Sequence, residues 1–135
     1  MGVKITGRMI DPITYEMKHE SGALIKTTAP KDNGGEGNKF SPTDLCAAAY
    51  TSCAATIMGL YAKNHDIEIE AVDFEVEKVM SNNPRRIGRL KAVFNVKSKC
   101  SDDEFKKLVK AAEACPIRKS LHPEIELKEE FVHLK

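Results

Sequence analysis

The residues of greatest chemical reach in this chain are four thiols, Cys46, Cys53, Cys100 and Cys115. A thiolate can act as a nucleophile, a metal ligand or a redox centre, so its surroundings decide which role is open to it. Cys53 lies among Ala, Ser and Leu, on one helical stripe with Leu45, Ala49, Ile57 and Leu60. By composition alone it reads as a small core hydrophobe, and Cys46, seven residues earlier, reads the same way. Cys115 differs, because Pro116, Arg118 and Lys119 follow it at the junction of two helical patterns. Free amides at a helix start and nearby cations both favour a thiolate, so Cys115 is open to two readings, a reactive thiol or a packed one. Cys100, in SKCSDD, has two carboxylates beside it that oppose ionisation.

Other chemistries find less support. No cysteine pair has the C-x₂₋₄-C spacing of a zinc site, and the histidines at 19, 65, 122 and 133 form no short-spaced pair, so no metal is expected. Gly34, Gly35 and Gly37 match neither GxGxxG nor a P-loop and read as loop flexibility. No Ser-His-Asp arrangement is legible.

The elements that must position these thiols follow from composition and pattern. With 135 residues, the chain is expected to form a single domain over 1–135. Twenty-one basic against 20 acidic residues leave a net charge of +1 and no basic run, which argues against nucleic-acid binding. MGVKITGRMI has no apolar core of signal-peptide length, so a cytoplasmic location is expected. The uncharged run from Leu45 to Tyr61 is just short of a membrane span and is diluted by Thr51, Ser52, Thr56 and Gly59, so no membrane partner is expected.

Alternating residues Val3–Met9, Ile13–Met17 and Ala23–Thr27, separated by Asp11-Pro12 and Ser21-Gly22, predict a three-stranded meander. The segment 29–40 reads as a mobile loop. Ser41, Pro42 and Asp44 then open a helix that is apolar on nearly every face. Such a helix must be buried on all sides, and a domain this small has little mass to do it, so a partner subunit in an obligate homodimer is expected to supply cover. Two strands follow, Ile67–Met80 and Ile87–Lys97, with a bulge expected near Ala71-Val72. Ser101–Glu104 is a capping box for a second helix that stops at Cys115-Pro116. A further helical turn spans Ile117–Leu121, and Ile125, Leu127, Glu129 and Phe131 close with a strand. The order is βββ-α-ββ-α-β, an α+β class in which antiparallel pairing dominates.

FSPTDLCAAAYTSCAATIMGLYA resembles the central helix of the OsmC/Ohr family, the osmotically inducible and organic hydroperoxide resistance proteins. A family segment of the form N/S-P-x-[ED]-L-x-A-A-x-x-x-x-C ends on the peroxidatic cysteine, matched here by Cys53. A second signature, C-P-[IVY]-x-[KN]-x-L, carries the resolving cysteine and is matched by Cys115–Leu121. The resemblance spans roughly Val3 to Val132, with features of a less characterised branch.

The resemblance implies an α+β fold of antiparallel sheets wrapped around central helices in an intertwined homodimer. It also implies a cysteine-based peroxidase acting on organic hydroperoxides. Cys53 would be oxidised to a sulfenic acid and Cys115 would close a disulfide with it. A dihydrolipoamide-type dithiol would reopen the bond, with no metal or flavin cofactor. The family places a Glu directly after the Pro, holding an Arg against the thiolate. Here that position is Thr43, with Asp44 next, and Arg8 is the only arginine in the first 80 residues. Arg8 and Asp44 are therefore the candidates to replace the pair. The alternatives on the same scaffold are a redox sensor or small-molecule-binding protein without efficient turnover, and a structural dimer with inert thiols.

Overall fold

The computed structural model describes residues 2–135, which form two compact units, one ending at Cys46 and the other Ala47–Lys135. The first is the meander expected from the alternation: β1 (Ile5–Asp11), β2 (Thr14–His19) and β3 (Leu24–Thr28), antiparallel in the order β1-β2-β3. Its first turn is closed by the Ile13 amide donating to the Asp11 carboxylate at 3.0 Å. The second uses Gly22 at φ +99°, a backbone that L side chains rarely adopt. Register then sorts the residues by face. Met9 opposes Tyr15, and Met17 lies between Gly7 and Ile25, giving an apolar face. On the other face Arg8 opposes Glu16, which opposes Lys26.

The segment 29–40 contains a 3₁₀ turn, Lys31–Asn33, and its glycines serve conformation. Gly34 and Gly37 have φ of +94° and +71°, and a Cβ on Gly35 would stand 1.6 Å from the Ala29 carbonyl oxygen. The reading of these residues as simple flexibility is thereby corrected.

Helix α1 (Pro42–Asn64) starts as expected: the Ser41 amide donates to the Asp44 carboxylate at 2.9 Å, and the Asp44 amide donates to the Ser41 hydroxyl at 3.1 Å. Its buried residues, Ala47, Tyr50, Thr51, Ala54, Met58 and Ala62, recur every three or four positions. One stripe is thus covered within this chain. By length and composition α1 could cross a membrane, a test that core helices also pass.

The second unit continues with β4 (Ala71–Ser81) and β5 (Arg86–Lys97), α2 (Asp102–Glu113), α3 (Pro116–Ser120) and β6 (Glu126–Leu134). The β4–β5 pairing is antiparallel, and its irregularity lies at Val79/Met80, not near Ala71-Val72, where β4 only begins. The expected capping box is present: the Glu104 amide donates to Ser101 at 3.1 Å, and the Ser101 amide donates to the Glu104 carboxylate at 3.0 Å. Antiparallel pairing dominates, as expected, but β6 runs parallel to β5. The helices between them form the crossover that a parallel pair requires. The core of this unit includes Tyr50, Met58, Leu90, Phe94, Val96 and Leu108, with Phe94 stacked on Phe131 at 4.6 Å between ring centres.

Candidate functional site

The four thiols are all free, and the second unit brings two of them together. Cys53 projects from α1 and is partly exposed. Cys115 caps α3, is fully buried, and lies near enough to Cys53 for that thiol to raise its pKa. Its sulfur also accepts from the Arg118 amide at 3.4 Å, the free amide that a helix start was expected to offer.

The sequence left open whether Cys115 favours the thiolate, and here two opposed effects meet. The Arg118 and Ile117 amides pull its pKa down, but burial, the largest cause, pushes it up. The neighbouring Cys53 thiol pushes it further in the same direction. The net shift is upward, so amides and cations alone mislead at this position. Cys115 is a thiol that the fold holds in its protonated form.

The cation expected to help is occupied elsewhere. The Arg118 guanidinium grips Glu129 of β6 with two bonds, Nε to Oε2 at 3.2 Å and Nη2 to Oε1 at 3.1 Å. The Tyr50 hydroxyl donates to the same carboxylate. Burial, then the bond to Glu129, drives the Tyr50 pKa far above the phenol range. The bond to Glu129 likewise raises the pKa of Arg118, so the guanidinium is charged at any physiological pH. Tyr50 and Glu129 were not singled out from the sequence, although one signal was available. Glu129 shares the alternation of Ile125, Leu127 and Phe131, so an acid falls on the apolar side of its strand. Its side chain is 9% exposed. A carboxylate in such a register needs a cation and hydroxyl donors.

The remaining candidates have these surroundings. Arg8 lies on the polar face of the first unit, where Nη2 pairs with Glu16 at 3.0 Å and the Arg8 side chain is 70% exposed. Asp44 spends one carboxylate oxygen on the α1 cap. Cys46 falls at the end of the first unit. Cys100 is buried before α2, its sulfur 3.8 Å from His133 Nε2 of β6. The His133 ring stacks on Phe105 and is 2.9 Å from the Ser98 carbonyl oxygen. Among the described residues no group of three or more His, Cys, Asp or Glu is placed to hold a metal ion.

Residues 35–130 match the family model described as OsmC-like protein. No curated protein matches the chain. Among solved structures, a Psychrobacter arcticus 273-4 protein described as an osmotic stress induced and detoxification response protein is 35% identical. The match covers 97% of this chain and 95% of that one at a TM-score of 0.86. An OsmC-like protein of Mycoplasma pneumoniae shares the fold at 16% identity and TM-score 0.83, covering 100% and 99% of the two chains. The organic hydroperoxide resistance protein OhrB of Bacillus subtilis shares it at 22% identity and TM-score 0.65, covering 97% and 98%. Two cysteines on two helices, within reach of one another in this α+β scaffold, thus stand in a chain that belongs to the OsmC-like protein family.

Proposed function

We propose that the protein is a thiol-dependent peroxidase that reduces organic hydroperoxides to alcohols in oxidative-stress defence. The observation that carries this reading is the placement of Cys115 beside Cys53, near enough for the two thiols to influence one another. The Cys53 thiolate attacks the peroxide O–O bond, releases the alcohol after protonation, and is left as a sulfenic acid. Cys115 condenses with it, so that the S–S bond forms and the sulfenic oxygen leaves as water. A dithiol of the dihydrolipoamide type then reduces the disulfide by exchange and is itself oxidised to a cyclic disulfide. Retaining the proton on Cys115 suits this order, because Cys53 is the more exposed of the two and meets the peroxide first. No metal or flavin takes part, and the protein works in the cytoplasm.

Arg8 and Asp44 are assigned the family's Arg and Glu roles beside the peroxidatic sulfur, supported by their positions in the family pattern. The functional unit is a homodimer. Its support is the apolar surface of α1 outside the buried stripe, with Leu60 50% exposed, and the exposed apolar face of the first unit's sheet.

The test is consumption of cumene hydroperoxide and hydrogen peroxide with dihydrolipoamide as reductant. Turnover that prefers the organic peroxide and disappears in Cys53→Ser is the expected result. Turnover that survives Cys53→Ser would overturn the assignment. No turnover with both thiols titratable would favour a sensor or binding protein. Under the proposal Arg8→Met and Asp44→Asn lower kcat/KM for the peroxide.

A further inference from the structure

Glu129 is a nearly buried carboxylate that the chemistry above does not use, yet it receives the Tyr50 hydroxyl and both arms of the Arg118 fork. Each donor belongs to an element that carries one of the paired thiols. Tyr50 is three residues before Cys53, one turn back along α1. Arg118 lies in the first turn of α3, and its own amide donates to the Cys115 sulfur. Arg118 also donates from Nη1 to the Glu113 carbonyl oxygen at 3.4 Å, which joins the end of α2 to the start of α3. Helix α3 has only five residues, too few to hold its position by its own hydrogen bonds.

We propose that Glu129 is a positioning residue, a clasp from β6 that holds the Cys53 helix and the Cys115 helix in the register needed for their disulfide to close. The proposal rests on the peroxidase reading for its biological use. The geometric claim concerns only how readily the two sulfurs meet. Closure requires the two sulfurs to approach in line with the S–O bond being displaced. Misplacement by about an ångström costs such steps roughly 10²-fold. Glu129→Gln keeps the shape but loses the charge and one acceptor oxygen. Tyr50→Phe removes only the α1 arm. Arg118→Lys keeps the charge but loses the two-pronged grip.

The test separates the two chemical steps in single turnover. Reduced protein receives one equivalent of cumene hydroperoxide. Sulfenic acid trapped with dimedone and the Cys53–Cys115 disulfide are then followed by mass spectrometry. In Glu129→Gln the rate of Cys53 oxidation is expected to stay within about twofold of wild type, while disulfide closure slows at least roughly tenfold. With excess peroxide, sulfinic acid should accumulate on Cys53. Tyr50→Phe and Arg118→Lys should show the same split to a smaller degree. A variant that merely loosens the fold would lower the melting temperature and slow both steps together.

If Glu129→Gln does not fold, Tyr50→Phe decides by the same split. Closure at wild-type rates in the folded variants would overturn the proposal. A second arm needs no peroxide: equilibration of the dithiol with reduced and oxidised glutathione, in which oxidised glutathione becomes two thiols as the protein disulfide forms. The ratio gives the effective concentration of one thiol at the other. A drop of at least roughly tenfold in Glu129→Gln supports the clasp, and an unchanged value overturns it. If wild type does not react with the hydroperoxide at all, the peroxidase reading fails and this arm still decides the clasp.

Discussion

In the first unit, Ile5, Met9, Tyr15 and Ile25 share one face of a three-stranded sheet and are 43–65% exposed. In the second, Leu90, Phe94, Leu108 and Tyr50 are fully buried between helices and a mixed sheet. Both units alternate apolar and polar residues along their strands, so the alternation alone does not distinguish them. What differs is the second layer. A sheet must place its apolar face against another element, and the second unit carries helices that do so. The thiol pair belongs to the unit that closes its own core, where burial can hold a pKa and a buried carboxylate can bind two donors. The first unit offers an apolar face and, on its reverse, an exposed ladder of Arg8, Glu16 and Lys26.

That contrast can be tested at single residues. Phe94→Ala in the second unit should cost about 3–5 kcal/mol of unfolding free energy, read by urea titration, because it empties a ring stacked in the core. A cost below ~1 kcal/mol would mean that this core is not the source of stability. Ile25→Glu probes the other face. A charge placed there should weaken self-association about 100-fold, or about 2.7 kcal/mol, in sedimentation equilibrium, with the fold retained. Unchanged association would show that this face is not the one covered in the proposed dimer.

The pH dependence sharpens the contrast from within the second unit. Cys115 and Tyr50 both have folded pKa values raised above their unfolded ones, so folding favours their protonated forms. Their contribution is fully present below the unfolded thiol and phenol values of 9.0 and 10.0, and it is lost as pH rises beyond them. Denaturant midpoints should therefore hold through neutral pH and fall above about pH 9. The fall should be shallower in Tyr50→Phe than in wild type. An equal slope would mean that the phenol is not held protonated by the fold. The smallest effect belongs to the exposed ladder: Arg8→Ala should change stability by less than about 1 kcal/mol. Any loss of the proposed peroxidase rate in that variant then reports on the reaction and not on folding.

Much of the fold was legible because it is set by local chemistry. The Ser41–Asp44 and Ser101–Glu104 caps, the Asp11-Pro12 and Ser21-Gly22 turns and the Cys115-Pro116 break each depend on residues within a few positions of one another. They appear where the pattern puts them. The parallel pairing of β6 was not legible, since alternation does not carry strand direction. Nor was the identity of the covered side of α1, because an apolar surface does not say which of its sides meets a neighbour in the same chain.

The amino-acid sequence by itself determined the order of elements, the ends of the helices, and the two cysteine motifs that resemble those of the OsmC/Ohr family. These are short-range or pattern properties, carried by capping groups, prolines and periodicity. Tertiary structure alone decided which thiols meet, the upward direction of the Cys115 pKa, and the joining of Tyr50, Arg118 and Glu129. The first depends on the fold bringing Cys53 of α1 near Cys115 at the start of α3, and the second on burial outweighing the amides of a helix start. The third depends on three side chains from separate elements converging on one low-dielectric point. Burial and long-range convergence exist only once the chain is folded, since desolvation is a property of surroundings and not of a residue.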